Sequence, residues 1–169
     1  MSFEVEVSKY KKNIISLSKI NYEKISESIN SIPKTEGIYI VCLNKNEQNI
    51  EVSETTTATK CKKLYTIDDL KQKLLTCHRN ILYIGKANSK DGLRGRIRLL
   101  LRYSIGKTQN HDGGKALWQI KNWNDKLDLY WCETSNSREI EQKLLVLHSK
   151  EFPNTNGDSF CYPFANWQR

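Results

Sequence analysis

Three stretches rich in Ile, Val, Tyr, Leu and Trp lie between polar side chains, a pattern typical of β-strands. The predicted strands are 37–43, 80–86 and 126–134. In the last of these, apolar and polar positions alternate, as in a strand with one solvated face. We therefore expect these stretches to supply the strands of a sheet.

Elsewhere apolar residues recur three or four positions apart, which is typical of helices with one buried face. The predicted helices are 66–77, one from near Leu93, a short one around 115–123 and one from near Ser137. Isoleucines mixed with polar residues over 8–32 predict one or two further short helices, which end at Pro33. This order of elements predicts an α+β fold.

The chain of 169 residues has the length of one domain, and we expect a single domain over 1–169. Residues 1–33 are interpreted as an N-terminal helical extension. The connection over 44–80 is long for a link between two strands, so it is interpreted as an inserted element.

Composition argues against several classes of protein. The longest apolar run, 38–43, is far shorter than the roughly 20 residues that span a bilayer, and no signal peptide is evident. The five cysteines form no C-x-x-C pair, which argues against a zinc ribbon or a disulfide framework. We expect a cytoplasmic protein with no membrane association and no nucleotide cofactor.

The net charge of +8 is concentrated in one part of the chain. Residues 86–126 carry ten basic and three acidic side chains, whereas the rest of the chain is nearly neutral. Such a local excess suits a polyanion such as nucleic acid, because each neutralised phosphate releases counterions. A solvated lysine surface gives the same count, so charge alone leaves both interpretations open.

Two charged residues occupy unexpected positions on their predicted helices. At about 100° per residue, Arg96 lies beside Tyr103 at one edge of its helix's apolar stripe. Arg96 there either serves a site or extends its stem along the helix. Glu141 lies within the apolar stripe of the last helix, whereas Glu139 points away. Since an unpaired buried carboxylate is costly, Glu141 predicts either an ion pair or a metal ligand.

Motifs on the first two predicted strands resemble the signature of the GIY-YIG nuclease superfamily. Gly37-Ile38-Tyr39 lies on the first strand and Tyr83-Ile84-Gly85 on the second. The other matching segments are Lys86-Ala87, Gly92-Leu93-Arg94-Gly95-Arg96-Ile97, Glu141-Gln142-Lys143-Leu144-Leu145 and Pro163-Phe164-Ala165-Asn166. The resemblance covers about 34–169, with 44–80 as an insertion, and is to small stand-alone members similar to restriction endonucleases.

The resemblance implies a three-stranded antiparallel sheet flanked by helices, and cleavage of a DNA phosphodiester with one divalent ion per site, Mg²⁺ or Mn²⁺. It implies that Tyr39 and Tyr83 flank the attacking water, with one of them as general base or orienting group. Arg96 would stabilise charge on the scissile phosphate, and Glu141 would hold the metal. Lys86 would assist water activation or contact phosphate.

The resemblance also implies that Asn166, at the end of the last motif, helps to order the site. One departure concerns a residue four positions after the arginine, where many members carry Tyr or His and this chain has Leu100. Tyr103 or His111 would replace that group. His111 is favoured because 110–114 resembles the H-x-G-G segment of small members, although a turn histidine bonded to backbone is the alternative.

A type II restriction-like DNA endonuclease is the leading functional hypothesis, because the chain has no room for extra DNA-binding domains. A repair or structure-selective nuclease is the first alternative, and a catalytically inactive nucleic-acid-binding module is the second. One active site cuts one strand, so double-strand cleavage requires a homodimer or sequential nicking. The expected DNA contacts are Arg94, Arg98, Arg102, Tyr103, Lys107 and Lys115.

Overall fold

A computed structural model describes residues 1–47, 49–111, 113–153 and 161–167. The strands in this part of the chain are β1 (Asn13–Ser16), β2 (Gly37–Leu43), β3 (Ile81–Ala87) and β4 (Leu127–Glu133). The α-helices are α1 (Phe3–Ser8), α2 (Ile25–Ser28), α3 (Ile67–Thr76), α4 (Gly92–Ser104), α5 (Trp123–Lys126) and α6 (Ser137–Glu151). Two 3₁₀ helices cover Leu17–Lys19 and Lys115–Gln119.

The strands form one antiparallel sheet in the order β1-β4-β2-β3. The α+β class is confirmed, and β2, β3 and β4 fall within one residue of the three predicted strands. The expectation of a three-stranded sheet is wrong, because β1 adds a fourth strand on the free edge of β4.

The extra strand lies in the 1–33 extension, which was expected to be helical. Its residues Asn13–Ser16 pair with 128–131 of β4 and so cover backbone groups that would otherwise face solvent. Ile14 is exposed and Ile15 is half-buried, so the apolar residues of the strand do not mark one buried face. The extension is therefore mixed, with α1 and α2 on either side of β1.

Three predicted helices are confirmed, since α3, α4 and α6 begin within one residue of Thr66, Leu93 and Ser137. The short helix predicted over 115–123 is a 3₁₀ helix followed by α5. Among the described residues, no helix combines the length and apolarity needed to cross a membrane.

β2 is an interior strand of the sheet, and every one of its residues is buried. Its side chains alternate between two hydrophobic clusters. Tyr39 and Val41 pack with residues of α4 and of the second 3₁₀ helix, whereas Ile38 and Ile40 pack with α1 and α6. The two helices that carry Arg96 and Glu141 therefore lie on opposite faces of the sheet.

The 44–80 connection packs against the Tyr39 face of the sheet. The Ser53 N–H donates to the Gln119 carbonyl at 2.7 Å, which joins the connection to the second 3₁₀ helix. Thr57 Oγ1 donates to the Ser104 carbonyl at 2.6 Å, which joins it to the end of α4. These bonds hold the insertion beside the helix that carries Arg96.

Candidate active site

A cavity of about 280 Å³ opens beside β3, an edge strand of the sheet. Its lining residues are Tyr39, Tyr83, Lys86, Ala87, Asn88, Ser89, Arg96, Leu99 and Glu141. We call it the tyrosine pocket. Five residues predicted to act in catalysis or metal binding share this cavity, although they come from β2, β3, α4 and α6.

Pairing of β2 with β3 brings the two tyrosines together across 44 positions of sequence. Tyr39 lies opposite Gly85 and Tyr83 lies opposite Val41, so both side chains project from the same face. Their ring centroids are 5.9 Å apart. A Cβ added at Gly85 would overlap the ring and hydroxyl of Tyr39, so this position of the motif requires glycine.

The residues before β2 anchor both helices that carry the charged groups. The Leu93 N–H, at the start of α4, donates to the Thr35 carbonyl at 2.9 Å. The Glu36 carboxylate accepts from the N–H of Ser137 at 2.8 Å and from its hydroxyl at 2.7 Å, at the start of α6. One short segment therefore sets where both helices begin relative to the sheet.

His111 contacts the hydroxyl of Tyr39. Tyr39 Oη lies 3.0 Å from His111 Nε2, and His111 Nδ1 lies 2.6 Å from the Gly113 carbonyl oxygen. Because a carbonyl only accepts, Nδ1 carries the proton of the neutral ring, and Nε2 accepts from the Tyr39 hydroxyl. His111 thus bonds both to backbone and to Tyr39, whereas Tyr103, the other candidate, is buried and lines a different cavity.

Burial controls the acidity of both tyrosines. It raises the pKa of the Tyr39 hydroxyl, and the Arg96 guanidinium opposes that effect. Burial also raises the pKa of Tyr83 well above its ordinary value, and negative charge on Tyr39 would raise it further. Neither hydroxyl ionises near neutral pH unless a partner takes its proton, and Tyr39 has such a partner in His111.

Lys86 and Glu141 form an ion pair inside the tyrosine pocket. Lys86 Nζ donates to Glu141 Oε2 at 2.6 Å, and the two side chains are 33% and 16% exposed. Of the two alternatives for Glu141, the ion pair is confirmed, and metal ligation stays a prediction. Glu139 on the same helix is exposed, as its position predicts. Arg96 is half-buried in the same cavity.

The donor set of the pocket suits a largely hydrated divalent ion. Among the described residues that line the pocket, Glu141 is the one carboxylate. In the described part of the chain, no three or more His, Cys, Asp or Glu side chains gather as a metal site. Mg²⁺ keeps several waters and is often bound through only one or two carboxylates, so a single carboxylate such as Glu141 is compatible with that ion. Such an ion would compete with Lys86 for the carboxylate.

Asn166 holds the outer edge of β3. Its side-chain NH₂ donates to the Ile84 carbonyl at 2.8 Å, and its side-chain oxygen accepts from the Ile84 N–H at 2.9 Å. The Ala165 N–H donates to the Leu82 carbonyl at 2.7 Å. Asn166 therefore supports the backbone beside Tyr83 and is not among the residues that line the pocket.

Two of the residues predicted to contact DNA form hydrogen bonds with the N-terminal extension. Arg94 Nε donates to the Ile32 carbonyl at 2.6 Å. Lys107 Nζ donates to the Tyr22 carbonyl at 3.2 Å. Both side chains join the extension to α4 and its following turn.

The other predicted contacts differ in exposure. Arg98 and Arg102 are exposed on α4, whereas Tyr103 is 2% exposed. Lys115 is half-buried, with Nζ 5.0 Å from the centroid of the Tyr65 ring. The six side chains do not share one exposed surface, and their contacts with DNA stay predictions.

Two features near the tyrosine pocket were not predicted from the sequence. Gly114 lies against the Tyr83 ring, where an added Cβ would sit 3.3 Å from Cε2. Lysines of the 60–63 segment gather with Lys115 in a second cavity. The sequence feature that indicates this cavity is the run Lys60-Cys61-Lys62-Lys63, which has three basic residues in four positions of the insertion.

Comparison with protein-family models, with curated proteins and with solved structures returns no match. Functional inference for this chain therefore depends on its residues and their geometry.

Proposed function

We propose that this chain is a divalent-metal-dependent endonuclease that hydrolyses DNA phosphodiester bonds, a GIY-YIG nuclease of the type II restriction kind. The observation that carries the proposal is the convergence of two tyrosines, an arginine, a lysine and a carboxylate in one cavity. Arg96 and Glu141 were selected by helix position and also by the motif resemblance, and both line that cavity.

In the proposed reaction, Tyr39 receives a proton from the attacking water while it passes its own proton to His111 Nε2. The hydrogen bond of 3.0 Å between these two atoms supports the relay. Because burial raises the pKa of Tyr39, a concerted transfer is easier than formation of a free tyrosinate. Tyr83 orients the same water from the neighbouring strand.

The charged residues act on the phosphate. Arg96 stabilises the negative charge that develops on the phosphate oxygens during displacement. Glu141 would hold Mg²⁺, which when bound supplies Lewis-acid stabilisation of the phosphate and the leaving oxygen. Lys86 then turns its ammonium group from Glu141 toward a phosphate oxygen.

The test is cleavage of a panel of substrates. The protein is incubated with supercoiled, relaxed and branched DNA in the presence of Mg²⁺, Mn²⁺ or EDTA. We expect discrete linear fragments from plasmid DNA with either metal and none with EDTA. Cutting confined to junctions or flaps would identify a structure-selective nuclease instead. No cleavage of any substrate would contradict both enzymatic functions and leave a nucleic-acid-binding module.

A further inference from the structure

A second cavity, of about 400 Å³, is lined by Lys60, Lys62, Lys63, Tyr103, Gln109 and Lys115. We call it the lysine pocket. Among the described residues that line it, four of six carry an ammonium group and none is acidic. The three lysines of the 60–63 segment are exposed, and within the described residues none of them forms an ion pair. Their positive charge is therefore available to an anion.

The lysine pocket lies next to the tyrosine pocket. Tyr103 follows Arg96 by seven residues of α4, which places it two turns along the same helix edge and about 10 Å away. Lys115 directly follows Gly114, which packs against the Tyr83 ring. One helix edge and one turn thus connect the two cavities.

The segment that carries the three lysines is anchored on both sides. Thr57 Oγ1 donates to the Ser104 carbonyl at 2.6 Å before the lysines. After the lysines, the Tyr65 N–H donates to Gln119 Oε1 at 3.0 Å. The insertion therefore presents its lysines beside α4 at a defined place in the fold.

We propose that the lysine pocket binds backbone phosphates of the DNA strand on one side of the bond cleaved in the tyrosine pocket. The proposal rests on the proposed function, and it gives the insertion a role in binding the DNA substrate. Lysine suits this role, because its ammonium group binds a phosphate as a point charge without reading a base. Since phosphates follow each other at 3.4 Å along the axis of one strand, the contact falls about three phosphates from the scissile bond.

Binding without metal tests the proposal apart from catalysis. The variant Lys60→Gln/Lys62→Gln/Lys63→Gln is compared with a control that loses the same charge from exposed lysines elsewhere, Lys12→Gln/Lys45→Gln/Lys150→Gln. The affinity for a fluorescent DNA duplex is measured in EDTA across a range of NaCl concentrations. Each neutralised phosphate contributes about −0.9 to the slope of log affinity against log salt. The first variant should therefore reduce the magnitude of this slope by about two to three. The control should change it by less than one.

A phosphate scan locates the contact. Single phosphates on either side of the cleaved bond are replaced by uncharged methylphosphonates. In the wild-type protein, replacement at two or three positions centred about three phosphates from the bond should lower affinity, and in the triple variant the same replacements should have no further effect. The single variant Lys62→Gln, with an expected slope change of about one, replaces the triple variant if that one fails to fold.

The outcomes separate this proposal from the proposed function. If the wild-type protein cleaves DNA but both triple variants keep its slope and its phosphate profile, the lysine pocket is not a phosphate site. If the wild-type protein neither binds nor cleaves DNA, the proposed function fails and the lysine pocket loses its ligand as well.

Discussion

The tyrosine pocket and the lysine pocket lie along one edge of α4 but hold their charged groups differently. In the tyrosine pocket, Lys86 is paired with Glu141 and Tyr39 is hydrogen-bonded to His111. In the lysine pocket, the lysines of 60–63 are exposed, and the described residues give them no ion pair. Hydrogen bonds fix the side chains of the tyrosine pocket. In the lysine pocket, hydrogen bonds anchor the backbone segment, and its lysine side chains extend from it.

This difference suits the two tasks that we propose for the cavities. Bond cleavage requires reacting groups held close to one geometry, since small displacements cost orders of magnitude in rate. Retention of a phosphate backbone requires positive charge near the strand and tolerates movement of the side chains. Substitutions in the tyrosine pocket should therefore lower the rate at saturating DNA, and those in the lysine pocket should change affinity and its salt dependence.

The largest separation is expected between two arginines of one helix. Arg96→Gln should lower the single-turnover cleavage rate at saturating DNA by about 10³-fold, because it removes charge stabilisation from the phosphate. Arg98→Gln removes the same charge from an exposed position of α4 and should change that rate less than threefold or so. Equal losses in the two variants would show that Arg96 acts only through general charge.

A smaller effect is expected from the proton acceptor. His111→Phe should lower the same rate by about 10²-fold and leave DNA affinity unchanged, because it removes the acceptor of the Tyr39 proton. Tyr103→Phe tests the other candidate and should leave the rate near that of the wild type. A loss in Tyr103→Phe with none in His111→Phe would transfer the role to Tyr103.

The smallest effect concerns the support beneath the tyrosine pocket, and it depends on pH. His148 Nδ1 donates to the Cys161 carbonyl at 2.6 Å, at the start of the segment that carries Asn166, and its Nε2 accepts from the His78 N–H at 3.0 Å. Burial lowers the pKa of His148 to about 4. Protonation at Nε2 would replace that acceptor with a second donor facing the His78 N–H.

The sign of the pH effect follows from where the proton binds. Between about pH 6.5 and pH 4, the unfolded chain protonates His148 and the folded chain does not. Neutral His148 therefore stabilises the folded chain fully above about pH 6.5. As the pH falls toward 4, the free energy of unfolding decreases by an amount on the order of 2 kcal/mol. Urea unfolding at pH 7 and pH 4.5 should show a smaller pH-dependent loss in His148→Gln than in the wild type. The same loss in both proteins would contradict this assignment.

Local patterns were sufficient for much of the fold and for the centre of the site. The strands that became β2, β3 and β4 have distinct apolar runs, and α4 and α6 have clear helical periodicity. The helix positions of Arg96 and Glu141 marked them as unusual, and the two residues line one cavity although 45 positions separate them. The sequence predicts an element correctly where the periodicity of its own apolar residues marks the face that becomes buried.

Long-range packing accounts for what sequence did not predict. β1 is short and half-exposed, and only its pairing with β4 distinguishes it from the helices around it. The hydrogen bond from Arg94 to the Ile32 carbonyl of the N-terminal extension was not predicted, because it joins segments 62 positions apart. The lysine pocket exists because the insertion packs on α4, a contact between distant segments that no local pattern reports.

The central claim is metal-dependent cleavage that depends on the one carboxylate lining the tyrosine pocket in the described residues. The decisive measurement is the single-turnover cleavage rate at saturating DNA across a Mg²⁺ titration, for wild type, Glu141→Gln and the exposed control Glu139→Gln. We predict that Glu141→Gln lowers the maximal rate about 10³-fold and that Glu139→Gln behaves as wild type. Cleavage by Glu141→Gln with wild-type rate and Mg²⁺ dependence would contradict the account.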